Sequence, residues 1–288
     1  MSEARSIELA GFPGLVAEGD GERKPYPIVF LHGFWGHHKV FPTYLRFFSA
    51  AGFDCYAFSR RGRMGVPPAH ARDVRFDDFV DDTLQVLDAI GREAIVVGWS
   101  LGGLIAQKVA EAGRCRAAVL VTPVAPRDVR VLPRRAALPM YLRHLHDLLL
   151  GRSFLISFRN AERTMLNCMP QDERRPAYET MVPDSGTVGR QISIGIKVDD
   201  KKVRCPVFLV VGSEDNIAPA RAALRTAKKY AADFREYPEH SHWLPDEPGW
   251  EKIAQDIVDW LEEKVLRQAK APATLQAGVA DSPAAPAG

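Results

Sequence analysis

From about residue 26 the chain alternates short apolar runs with segments whose apolar positions recur every three or four residues, and this continues to residue 266. The runs Pro27–Leu31, Phe53–Phe58, Ala94–Trp99, Ala117–Val121, Val207–Val211 and Phe234–Tyr237 are mostly apolar along their length, as strands buried on both faces should be. Ile7–Leu9 and Leu15–Ala17 predict an antiparallel hairpin at a sheet edge. Phe76, Phe79, Val80, Thr83, Leu84, Leu87 and Ile90 mark one helix; Trp250, Ile253, Ile257, Trp260 and Leu261 mark another, with Pro248 near its first turn. The fold class that follows is α/β, a mostly parallel central sheet flanked by helices. No period of 20 to 50 residues repeats, which excludes solenoids and propellers.

Between Pro123 and Arg204 the alternation stops. Prolines are frequent, no buried strand stands out, and an amphipathic run from Leu138 to Leu150 closes on Gly151. We read this stretch as a helical insertion into a core formed by residues 1–122 and 205–266. The tail, residues 267–288, is rich in Ala and Pro and has little to bury, so it is expected to be disordered.

Composition narrows the picture. The 288 residues are 46% hydrophobic, enough for a sizeable core, and a net charge of +2 supplies no global field for nucleic acid. Charge is uneven, however: between Arg127 and Arg163 eight arginines face three acids, a local excess that could contact an anionic surface or substrate. Cys55, Cys115, Cys168 and Cys205 stand far apart with no C-x-x-C pair, which argues against a zinc ribbon or a disulfide scaffold. The first 21 residues carry five charges and no apolar stretch of the kind a secretion signal needs, and the uncharged run from Ala94 to Gln107 is too short to span a bilayer. A reducing cytosol is the expected home.

The strongest chemical signal is Gly98-Trp99-Ser100-Leu101-Gly102-Gly103, set between an apolar strand and a helix. G-x-S-x-G in that context makes a sharp turn that lifts a serine hydroxyl above the sheet edge; Gly98 and Gly102 remove side chains that would collide there, and Gly103 lets the helix pack closely. A serine needs a base, and the base needs an orienting group. Asp215, just beyond the strand Val207–Val211, is the acid candidate, with Glu214 as competitor. His240 and His242 are the base candidates, and spacing alone does not choose between them; an imidazole has an unperturbed pKa of about 6.5. The paired histidines His37 and His38 lack the further ligands a zinc site would add, and neither a Walker loop nor a G-x-G-x-x-G follows a strand, so neither metal nor cofactor is expected.

In order and context these motifs resemble the α/β-hydrolase fold family over roughly residues 5–266. His32-Gly33-Phe34-Trp35-Gly36 resembles its HG-x-x-G oxyanion loop, and Arg61-Gly62-Arg63-Met64-Gly65 its R-G-x-G loop with one residue inserted. The resemblance implies His242 as the base, because Glu247 and Pro248 follow it at the family's distance, and leaves His240 as a solvated loop residue. Ser241 stands where a glycine commonly precedes that histidine. It also implies an oxyanion hole from the N–H groups of Phe34 and Leu101, a structural role for His32, and a cap formed by the insertion. Trp35, Trp99, Met140 and Tyr141 are then candidates to line an acyl pocket.

The residues prune the family's reactions. Epoxide hydrolases and haloalkane dehalogenases carry aspartate at the elbow, where this chain has Ser100, and hydroxynitrile lyases carry lysine after the histidine, where it has Trp243. What remains is an acyl transfer, with a carboxylic ester or thioester of a small to medium apolar acid as the expected substrate. Carbon–carbon bond hydrolysis or perhydrolysis on the same residues is the alternative reaction, and ligand binding without catalysis the non-enzymatic one.

Overall fold

The computed structural model describes residues 3–66, 73–129 and 134–267. Among them eight strands form one sheet in the order β1-β2-β4-β3-β5-β6-β7-β8. The strands are β1 (Arg5–Leu9), β2 (Phe12–Ala17), β3 (Ile28–Leu31), β4 (Cys55–Phe58), β5 (Ile95–Trp99), β6 (Ala117–Val121), β7 (Val207–Gly212) and β8 (Asp233–Tyr237). β1 and β2 pair antiparallel, β2 joins β4 antiparallel, and all other pairings are parallel. The expected hairpin is therefore present, with only β1 at the sheet edge.

Burial follows position in the sheet. Every residue of β3, β5, β6 and β7 is buried. At the two edges β1 and β8 expose charges, Arg5 on one and Asp233, Arg235 and Glu236 on the other, which discourages further strand pairing.

The helices are α1 (Pro42–Ala50), α2 (Phe76–Ile90), α3 (Leu101–Glu111), α4 (Leu138–Leu150), α5 (Phe158–Thr164), α6 (Gln171–Glu179), α7 (Gly186–Ile194), α8 (Ala220–Tyr230) and α9 (Trp250–Leu261). Local chemistry sets several ends. The Asp78 carboxylate accepts the Arg75 N–H at the start of α2, and Gly91 ends that helix in the left-handed region. α4 begins with Pro139 in its first turn and ends on left-handed Gly151.

The four helices α4 to α7 lie between β6 and β7 and form the inserted layer; inside it, Phe154 and Asp184 make a single antiparallel bridge. The tail expected to be disordered lies outside the described residues beyond position 267, as does Arg130 of the arginine-rich stretch.

Strand order decides where chemistry can sit. The chain leaves β3 for β4 on one side and returns to β5 on the other, so the loops after β3 and β5 diverge and leave a crevice at the carboxyl ends of the strands. Those two loops are His32–Gly36 and the turn at Ser100.

Candidate active site

Ser100 occupies the turn between β5 and α3 with φ 57° and ψ −115°, a backbone that non-glycine residues seldom adopt. Its N–H donates to the Val121 carbonyl at 2.9 Å, and its own carbonyl accepts from Gly103 and Val124 at 3.0 Å each. The turn closes only because side chains are missing around it. A Cβ on Gly98 would collide with the Gly102 carbonyl, one on Gly102 with the Leu31 carbonyl, and one on Gly103 would come within 2.7 Å of Pro123.

The three residues that the sequence singles out come together. His242 Nε2 lies 2.8 Å from Ser100 Oγ, and His242 Nδ1 lies 2.7 Å from Asp215 Oδ2. A carboxylate can only accept, so the proton sits on Nδ1, and Nε2 of the neutral ring is left to accept from the serine hydroxyl. The other carboxylate oxygen, Asp215 Oδ1, accepts the N–H groups of Ile217 at 2.8 Å and Ala218 at 2.7 Å, which fixes the carboxylate plane. Both Asp215 and His242 are buried. Glu214 is exposed and faces Arg134 of the insertion.

His240 departs from expectation. It is mostly buried: its ring packs against Tyr237, and its Nδ1 lies 3.3 Å from the buried Glu247 carboxylate. Glu247 also accepts the Ser241 N–H at 2.8 Å and the Ser241 hydroxyl, which bonds the Met165 carbonyl as well. Ser241 is not left-handed, so the position does not require glycine, and its side chain ties the histidine loop to the inserted layer.

The loop after β3 runs beside the nucleophile: a Cβ on Gly33 would lie 3.1 Å from Ser100 Cβ. Among the hydrogen bonds of the described residues, the N–H groups of Phe34 and Leu101 have no protein acceptor, although both residues are buried. Buried N–H groups are almost always paired, so these two orphans beside one serine stand out.

Three buried side chains that sequence reasoning left unassigned hold this loop. Arg60 donates to the carbonyls of His32 at 2.7 Å and Gly33 at 3.2 Å. Arg63 donates to the Gly36 carbonyl at 3.1 Å and forms a 2.6 Å ion pair with Asp184. Asp184, from the inserted layer, accepts the Trp35 N–H at 3.2 Å, while Val182 donates to the Trp35 carbonyl and the Trp35 indole donates to Phe154. Trp35 is held at φ 62° by these contacts on both sides. The sequence signals for the two arginines are the arginine-rich run directly after β4 and, for Arg63, the loop Arg61-Gly62-Arg63-Met64-Gly65; nothing marks Asp184.

His32 is fully buried, donates from Nδ1 to the Gly33 carbonyl at 2.9 Å, and is kept well below the usual histidine range by burial and then by the neighbouring Arg60 and Arg63. It is a neutral strut. Trp99 donates its indole N–H to the His242 carbonyl at 2.8 Å and packs edge-on against Trp243, so it braces the histidine loop from below. Of the other candidates for an acyl pocket, Trp35 packs on Phe154, as does its neighbour Phe34. Met140 is buried and Tyr141 half-buried on α4, whose inner face reaches Phe34 through His144 stacked on Phe154.

The family's sequence model, described as the alpha/beta hydrolase family, matches residues 28–255. The chain belongs to the alpha/beta hydrolase family. A non-heme chloroperoxidase from Burkholderia pyrrocinia is 26% identical over 250 residues, which cover 78% of this chain and 87% of that protein. Among solved structures, a monoacylglycerol lipase from Paleococcus ferrophilus superposes with a TM-score of 0.69 at 19% identity, covering 88% of this hydrolase and 99% of the lipase. A meta-cleavage product hydrolase from Pseudomonas fluorescens gives a TM-score of 0.66 at 17% identity, covering 91% of this chain and 98% of its own. For a carboxylesterase from Bacillus subtilis the values are 0.64 and 18%, with 91% and 92% covered. These structures share the fold of this alpha/beta hydrolase while carrying different activities in their names, so the reaction has to be argued from the site. Among the described residues no cluster of three or more His, Cys, Asp or Glu is placed to hold a metal ion, and no helix is long and apolar enough to cross a membrane.

Proposed function

We propose that the protein is a serine hydrolase that cleaves a carboxylic ester or thioester of a small to medium apolar acid. The observation that carries the reading is the relay from Asp215 through His242 to Ser100, with hydrogen bonds of 2.7 and 2.8 Å in a buried setting. Ser100 Oγ attacks the substrate carbonyl as its proton passes to His242 Nε2. The imidazolium that forms is stabilised by Asp215, which stays ionised. The oxyanion is received by the N–H groups of Leu101 and Phe34, each worth on the order of 10² to 10³ in rate. His242 then gives the proton to the leaving alcohol or thiol, an acyl-Ser100 ester remains, and water activated by the same histidine releases the acid. Phe34, Trp35, Met140 and Tyr141 form the apolar wall for the acyl chain. No cofactor enters any step.

The chloroperoxidase relative favours one second reading. Hydrogen peroxide could replace water at the acyl-Ser100 ester, giving a peracid and free enzyme on the same residues. Rates of hydrolysis and perhydrolysis measured from one acyl donor separate the two.

The test is labelling with an alkyl fluorophosphonate, mapped by peptide mass spectrometry. Label on Ser100 that is largely lost in His242→Ala is expected; folded protein that takes no label would overturn the reading. An acyl-length series on p-nitrophenyl esters should then show an optimum, and a flat profile would remove the apolar wall from the proposal.

A further inference from the structure

Helix α4 turns an apolar stripe away from the protein. At about 100° per residue, Leu138, Leu142, Leu145 and Leu149 fall within an arc of roughly 60°. They are 54%, 65%, 50% and 60% exposed, and Leu150 beside them is 53% exposed. The opposite side of the helix is the one that packs: Met140 and His144 are buried, His144 stacks on Phe154, and Leu148 meets Gly189 of α7. The helix is thus apolar on two sides, and no rotation would hide both. Of the eight most exposed large hydrophobic side chains among the described residues, five are these leucines. Apolar patches of this kind on a protein surface mark contact sites.

Charge identifies what the stripe meets. Arg135, Arg143 and Arg152 are exposed at the start, flank and end of the helix, and Arg190 of α7 reaches the Leu149 carbonyl at 2.8 Å. The single acid of α4, Asp147, is turned inward onto His144 at 3.1 Å. A second copy docking about a twofold axis would set these arginines against themselves. An anionic bilayer offers both complements, head-group charge for the arginines and an acyl boundary for the leucines. Arg134, in the same arginine-rich stretch, is not part of this surface, because it donates to the Ser213 carbonyl at 2.6 Å.

We propose that α4 is an interfacial helix that lays the protein on an anionic lipid surface, with its leucine stripe in the acyl boundary and Arg135, Arg143 and Arg152 among the head groups.

Co-sedimentation of the full chain with vesicles of phosphatidylcholine, with and without phosphatidylglycerol, tests this. Binding about tenfold tighter to the anionic vesicles, weakened by added salt, is expected. Replacing Leu142→Ser and Leu149→Ser together should weaken binding at least about tenfold, since two apolar anchors are lost. Leu224→Ser, at an exposed leucine of α8, is the control and should leave binding unchanged. Circular dichroism on each variant verifies the fold. Three results would overturn the proposal. One is no binding to anionic vesicles, and another is binding undiminished in the double leucine variant, which would leave only a charged face for acidic partners. The third is a lipid-free dimer in sedimentation velocity that the double variant abolishes, which would assign the stripe to a second copy. Binding is read without turnover, so failure here leaves the hydrolase reading untouched.

Discussion

Trp35 follows Phe34, whose N–H is the proposed oxyanion donor, and has a left-handed backbone that a bulky side chain does not adopt unaided. The compensation comes from Asp184 at the Trp35 N–H and Val182 at the Trp35 carbonyl, with Arg63 pairing Asp184. Asp184→Asn keeps an acceptor for the Trp35 N–H but leaves the buried Arg63 without its counter-charge. Stability should fall by about 3 kcal/mol. If the loop then loosens, kcat on an ester should drop by roughly 10² with KM little changed, because an oxyanion donor acts mainly in the transition state. Urea unfolding and steady-state kinetics on the same variant check both. Asp215→Asn, by contrast, disturbs the histidine tautomer and should lower kcat by about 10⁴ while the protein stays folded. These residues differ in legibility. Ser100 and Asp215 could be read because each sits at the end of an apolar run, and His242 only through the family resemblance, in which Glu247 and Pro248 follow the base at the expected distance. Asp184 could not, since an acid before Ser185 and a helix reads as ordinary capping, and its partner Arg63 is 121 positions away.

Among the elements, the strands were the most legible, because burial on both faces leaves continuous apolar runs; β6 matches its predicted bounds and the others shift by one to three residues, β2 the most. α2 and α9 were legible from their periodic large apolar residues. α8 was not, since the side chains it buries are Ala222, Ala223, Thr226 and Ala227, too small to stand out against its charges. α1 buries Tyr44, Leu45 and Phe48, an aromatic-rich set that suits strand and helix alike. The turn into α3 makes a prediction about glycine. Gly102→Ala drives a methyl group into the Leu31 carbonyl and should cost at least about 3 kcal/mol, or prevent folding. Gly91→Ala, at the end of α2 with φ 66° and open space around it, meets only the left-handed penalty of about 1 kcal/mol. Urea midpoints of the two variants give the contrast directly.

For the molecule as a whole, the insertion reaches all three loops that the proposed chemistry needs. It meets the oxyanion loop through Val182 and Asp184, the acid loop through Arg134 and Asn167, and the histidine loop through Met165. A separation of the chain into core and cap therefore describes its topology better than its mechanics. Acid should test the assembly near this junction. His38, whose Nδ1 accepts the Ser59 hydroxyl at 2.7 Å, is pushed down to about 4 by burial, then by His37 and Lys39; His32 and His37 move the same way. Below its ordinary pKa of about 6.5 the unfolded chain binds protons that the folded one refuses, so this stability is complete above that pH and is lost as pH falls towards 4. Thermal melts should be flat above pH 7 and decline from about pH 6.5 downward, and His38→Asn, which keeps an acceptor without a proton to take up, should shallow the decline.

The hydrogen bond from Ser100 to His242 spans 142 positions of sequence, and the proposed base lies beyond both the proposed nucleophile and the entire insertion. During synthesis the elbow leaves the ribosome long before its partner exists. An emerging chain that folds from its first strands would carry Ser100 in its strained turn yet could not ionise it. On the proposed mechanism, activity would begin only once the codon for His242 has been read, so a product truncated before it could not turn over an ester, whatever its state of folding.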